Sequence, residues 1–124
     1  MSELPLLVIE DESSVQAFLR AAFKRHGFSI VMVASGAEGL QLLKERESRG
    51  VISDMRTPGG VNGDDVHAWL QQHKPEMVKR ILFITGDIVN EETTRTLEKT
   101  GVPCIEKPFR VNELMAAVRK VLER

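Results

Sequence analysis

The sequence predicts a doubly wound α/β fold built on a five-stranded parallel sheet with helices on both faces. Three observations carry that expectation. Short apolar runs alternate with longer amphipathic stretches from one end of the chain to the other, and strictly alternating strand–helix units favour parallel strands with right-handed crossovers. Two of the runs, Leu6-Leu7-Val8-Ile9 and Ile81-Leu82-Phe83-Ile84, are apolar without interruption, as strands covered on both faces require. No internal repeat, low-complexity tract or linker breaks the pattern, so residues 1–124 read as one domain.

The elements follow in order. After the first strand, Ser13 or Ser14 is placed to cap a helix whose inner face is Val15, Phe18, Leu19, Ala22 and Phe23, with Gly27 closing it. Residues 28–33 form the second strand, and Ser35-Gly36 opens a helix that carries Leu40 and Leu43 inward. Gly50 precedes a short third strand over 51–53. The loop that follows is dense in turn formers, Pro58-Gly59-Gly60-Val61-Asn62-Gly63. A third helix with Val66, Trp69 and Leu70 on one face runs to about Pro75. After the fourth strand, Asn90 caps a polar helix that ends near Gly101. A short fifth strand surrounds Cys104-Ile105, and the last helix turns Leu114, Val118 and Val121 or Leu122 inward. Elements of these lengths suit the flavodoxin-like strand order 2-1-3-4-5, in which ligands sit at the carboxyl ends of the strands near the switch point between the first and third.

Composition narrows the function classes. Hydrophobic residues at 42% and charged residues at 28% are those of a soluble globular domain, and a net charge of −1 leaves no field directed at nucleic acid or an anionic membrane. The single cysteine, Cys104, has no partner for an internal disulfide, which fits a reducing compartment. No apolar run approaches the roughly 20 residues that span a bilayer, and the N-terminus lacks a signal-peptide pattern. The expected location is cytoplasmic. His26, His67 and His73 show no metal-ligand spacing, and no glycine-rich nucleotide motif follows a strand.

Chemistry is concentrated where the fold rule directs attention. Glu10-Asp11-Glu12 follows the first strand and Asp54 ends the third. Adjacent strands would crowd these carboxylates into one crevice, where protons or a cation must relieve their repulsion. Mg²⁺ suits such a set, since it takes one or two carboxylates and keeps several waters. Thr85 after the fourth strand and Lys107 after the fifth bring a hydroxyl and an ammonium to the same end. A carboxylate beside Mg²⁺ can attack a phosphoryl donor, with the other groups holding phosphoryl oxygens. For Glu12 alone, a charge favouring a helix N-terminus is the preferred reading.

Val8-Ile9-Glu10-Asp11, Ser53-Asp54 with Pro58, Ile84-Thr85-Gly86 and Lys107-Pro108-Phe109 occur in order, each at a predicted strand end. In this the chain resembles the receiver domain of two-component response regulators, including those of hybrid sensor histidine kinases. The resemblance implies that Asp54 is the phosphoacceptor, that Asp11 ligates Mg²⁺ directly and Glu10 through water, and that the Arg56 carbonyl is a further ligand. It also implies that Thr85 and Lys107 contact the phosphoryl group and that the Lys107–Pro108 peptide is cis. The implied partners are a histidine kinase or histidine phosphotransfer protein as donor, and a downstream protein met by the fourth helix, fifth strand and fifth helix. Neither direct nucleic-acid contact nor membrane insertion is expected.

Two features depart from the family pattern. Cys104 stands where an aromatic switch residue is usual, and the loop from Asp54 to Gly63 is one residue longer than is common. The resemblance implies that Arg56 and Asp87 flank the approach of hydrolytic water, where they are expected to pair. A phosphatase of the haloacid dehalogenase-like type is disfavoured, because Arg56 replaces the second acid that such enzymes need.

Overall fold

Buried apolar runs make the strands and amphipathic stretches cover them. The computed structural model describes residues 4–86 and 90–123. The elements are β1 (Leu6–Ile9), α1 (Ser13–Arg25), β2 (Ile30–Val33), α2 (Gly36–Glu45), β3 (Gly50–Asp54), α3 (Gly63–His73), β4 (Ile81–Thr85), α4 (Glu91–Thr100), β5 (Cys104–Glu106) and α5 (Val111–Leu122). The strands are parallel in the order β2-β1-β3-β4-β5, as the alternation predicts.

The sheet divides the core in two. On one face Leu6, Val8, Ile52, Leu82 and Ile84 meet Leu19 and Phe23 of α1 and Leu114 and Val118 of α5. On the other, Leu7, Ile9, Val51, Ile81 and Phe83 meet Leu43 of α2 and Val66 and Leu70 of α3. Consecutive residues of each strand serve opposite layers, which is why β1 and the first four residues of β4 are all apolar. Among the described residues no helix is long and apolar enough to cross a membrane.

Several local expectations need correction. The N-cap of α1 is Glu12 rather than a serine, and its side chain makes no capping hydrogen bond. Phe18 does not join the inner face. It is 37% exposed and sets its ring edge-on to Phe109, with centroids 5.6 Å apart. The second strand starts at Ile30, two residues later than expected, and a 3-10 turn over Pro75–Met77, not anticipated, follows α3. Ser35 caps α2 by accepting from the Glu38 amide at 3.2 Å, and Asn90 caps α4, as expected.

The glycines of the β3–α3 loop do different jobs. Gly59 and Gly60 have φ of +88° and +83°, a region open to glycine at little cost. Gly63 has no such φ. It lets α3 start against the sheet, where a Cβ would lie 2.9 Å from the Phe83 ring and 3.1 Å from the Asp54 carbonyl oxygen.

His67 of α3 is 5% exposed, and burial holds its pKa below the ordinary 6.5. The unfolded chain therefore binds this proton before the folded one does. The contribution of His67 to stability is intact above about pH 6.5 and is lost as pH falls through the lower folded value. A His67→Gln variant should lose less stability than wild type between pH 7 and pH 5 in urea denaturation. Equal losses would show that the acid sensitivity lies elsewhere.

Candidate functional site at the carboxyl ends of the strands

Register brings the site together. Ile9 pairs with Ser53, so Glu10 and Asp54, each the next residue, leave neighbouring strands side by side. The Glu10 amide is held by the Val33 carbonyl at 3.0 Å. On the far side the Lys107 amide donates to the Thr85 carbonyl at 2.7 Å, fixing the exit of β5 against that of β4. The Lys107–Pro108 peptide that follows is cis, as the resemblance implied.

The Lys107 ammonium is the hub. Its Nζ lies 2.9 Å from Glu10 Oε1, 3.1 Å from Glu12 Oε1 and 3.2 Å from Asp54 Oδ2. Burial alone would lower the Lys107 pKa, but its contacts with Glu10, Asp54 and Glu12 outweigh burial and hold it above its ordinary value. The lysine is a fixed positive charge. Glu10 is fully buried, and its Oε2 accepts from the Glu12 amide at 3.0 Å. Its Oε1 is close to the ammonium without hydrogen-bond geometry, so a buried carboxylate oxygen is left short of a donor.

Asp54 is 8% exposed, and its pKa is raised from 3.8 to about 6. Desolvation is the largest cause and repulsion from Glu10 the next. The Lys107 ammonium and the Arg56 backbone N–H oppose them. Thr85 is buried at 5% exposure, and it borders a cavity of about 220 Å³ together with Asp54, Arg56, Gly86, Asn90 and Thr93. This cavity adjoins Asp54 on the side of β4 and α4.

The donor set fits a divalent cation. Glu10, Glu12 and Asp54 place carboxylate oxygens within 4.8 Å of one another, and one ammonium leaves these three acids with two negative charges in excess. Hard oxygen donors, an under-satisfied buried oxygen and that excess match what Mg²⁺ requires. Asp11 is exposed and is not one of the three. Glu12, read from the sequence as a helix charge, is a member of the site as well as the first residue before α1. Its neighbour across the site lies 95 positions away, so only the strand order could have revealed that contact.

Arg56 reaches the start of α4. Its guanidinium reaches Asn90 Oδ1 at 3.2 Å and Glu92 Oε2 at 3.0 Å. Asp87, its expected partner, lies outside the described residues. The rest of the loop is tied to α2 through Thr57, whose hydroxyl accepts from the Gly36 amide at 3.0 Å and donates to the Val61 carbonyl. Cys104 is half-buried, and burial, with Glu106 and Asp54 adding to it, pushes its thiol up to about 11. A thiol so poised is unreactive at neutral pH.

In the metal-free protein the raised Asp54 pKa is a liability. The stability tied to this group is fully present below about pH 3.8 and is lost as pH rises through about 6. In EDTA, Asp54→Asn should therefore be more stable than wild type at pH 8, by about 1–3 kcal/mol. The gap should close near pH 4. Chemical denaturation at the two pH values checks this, and a less stable variant at pH 8 would contradict it.

Comparison with known proteins places this arrangement. The sequence model of the response regulator receiver domain matches residues 6–119. An NtrX-like response regulator of Rickettsia felis is 26% identical over 124 residues, 99% of this chain and 26% of its own length. The chain spans between about a quarter and about half of the curated relatives it matches, 26% to 51%. Among solved structures, a response regulator from Chloroflexus aurantiacus superposes with a TM-score of 0.86 at 26% identity, covering 99% of this chain and 100% of its own. The receiver domain of a Pseudomonas aeruginosa sensor histidine kinase, with magnesium coordinated in its active-site cleft, has a TM-score of 0.85 at 17% identity and covers 99% of this chain and 100% of its own. With acids, threonine and lysine at the ends of four strands of that fold, and the family's sequence pattern over nearly its whole length, this chain belongs to the response regulator receiver domain family.

Proposed function

We propose that the domain is a phosphorylation-controlled switch in a two-component phosphorelay, with Asp54 as phosphoacceptor and a phosphohistidine of a histidine kinase or phosphotransfer protein as donor. The observation that carries this reading is the Asp54 carboxylate, 3.2 Å from a permanently charged Lys107 and open to the cavity bordered by Thr85. A carboxylate oxygen would attack phosphorus as the bond to the imidazole nitrogen breaks. The departing imidazole takes a proton, and Asp54 becomes an acyl phosphate. Lys107 and the Thr85 hydroxyl would each hold a phosphoryl oxygen.

Mg²⁺, when bound, would supply neutralisation of charge on the phosphoryl oxygens. Glu10, Asp54 and Asp11, with the Arg56 carbonyl, are the groups proposed to hold it. Glu12 has its Oε1 beside Lys107 and is better suited to keeping that lysine in place. A protein donor is favoured by the groove on the other side of Lys107. This space of about 600 Å³ is walled by Val15, Phe18, Pro108 and Phe109, which offer apolar surface beside the reacting group. The output would pass through α4, β5 and α5 to a downstream protein that prefers the phosphorylated arrangement. The domain would support its own phosphorylation and slow hydrolysis without being a turnover enzyme.

Incubation with acetyl phosphate and Mg²⁺, followed by intact mass, tests the reading. One phosphoryl adduct is expected on wild type, none on Asp54→Asn and none in EDTA. Lack of an adduct together with lack of Mg²⁺-dependent beryllofluoride binding would reduce the chain to a scaffold.

The two flanking acids are separable by a Mg²⁺ titration. Asp11→Asn should weaken Mg²⁺ by about tenfold or more, and Glu12→Gln by less than about threefold. The reverse order would make Glu12 the ligand.

A further inference from the structure

Arg56 is joined at its two ends to the parts of the molecule that a switch must connect. Its backbone N–H holds the Asp54 carboxylate. Its side chain grips the start of α4, because Asn90 Oδ1, which it reaches at 3.2 Å, also accepts the amides of Glu92 and Thr93 at 2.9 and 3.2 Å. Glu92 Oε2, 3.0 Å away, completes the grip. Asp54, Arg56 and Asn90 border the same cavity, so a group added to Asp54 enters space next to that guanidinium.

We propose that Arg56 carries the state of Asp54 to α4: its guanidinium is held by Glu92 and Asn90 while Asp54 is bare, and moves to the phosphoryl oxygens once Asp54 is modified, releasing the first turn of α4. The inference rests on the phosphoacceptor reading and adds a path by which that site is read out. The competition is unequal. The Arg56 and Glu92 side chains are 58% and 69% exposed, and an ion pair that open to water holds weakly. A phosphoryl group brings nearly two charges and three acceptor oxygens, which a planar guanidinium fork matches well.

The two members of the Arg56–Glu92 pair predict effects of opposite sign, which a merely structural ion pair would not. Glu92→Gln removes the competing acceptor, so beryllofluoride in the presence of Mg²⁺ should bind about two- to fivefold tighter than to wild type. Arg56→Ala removes the group that is to be transferred, so binding should be weaker than wild type. The double variant should behave as Arg56→Ala. In ¹H–¹⁵N spectra, the amides of residues 92–97 in Glu92→Gln should already sit part of the way toward their beryllofluoride-bound positions. Changes of the same sign in both single variants, or an unaltered affinity in Glu92→Gln, would overturn the proposal while leaving Asp54 as acceptor. Failure of wild type to bind beryllofluoride at all would overturn both.

Discussion

Everything at the carboxyl end of the sheet depends on one ammonium among three carboxylates. Lys107 lies within 3.2 Å of Glu10, Glu12 and Asp54, three acids drawn from two different strand exits. Without it, two buried acids would face each other across adjacent strands and the strand ends would repel. With it, the repulsion is reduced but not cancelled, and the uncancelled part is the charge that a divalent cation would neutralise. The fold supports this arrangement from below. The apolar residues of β1, β3 and β4 fill both layers of the core, so the polar residues at their ends have no freedom to withdraw.

The β3–α3 loop is anchored on both flanks. Thr57 ties it to the beginning of α2, Asn62 Oδ1 accepts from the Thr57 amide at 3.1 Å, and Arg56 ties it to the beginning of α4. The extra length that the glycines provide is thus confined to the tip around Gly59 and Gly60, while the residues next to Asp54 are held. A loop built this way can change its outer shape without moving Asp54, and its two anchors tie the residues next to Asp54 to α2 and α4.

The fold was legible in the sequence because period and topology are properties of whole segments. The unbroken apolar runs Leu6–Ile9 and Ile81–Ile84 and the alternation of elements leave little else than a covered parallel sheet. Asp54, Glu10, Thr85 and Lys107 were legible for the same reason, since each sits at a predicted strand end. What escaped depends on side-chain direction rather than on position. Glu12 turns back to Lys107 instead of only facing solvent, Phe18 turns out to meet Phe109, and Arg56 reaches 34 to 36 positions along the chain to α4. None of these choices leaves a mark on local periodicity.

The dual position of Glu12 has a consequence for α1. A residue at a helix N-cap ordinarily lends its side chain to the exposed amides of the first turn, and losing that bond leaves them open to solvent exchange. Here the carboxylate is drawn to Lys107, and α1 begins without a side-chain cap. The first turn of α1 is therefore a gauge of where Lys107 spends its charge. Were the lysine to turn to another anion, Glu12 would be free to cap those amides, and deuterium uptake at residues 13–15 would fall.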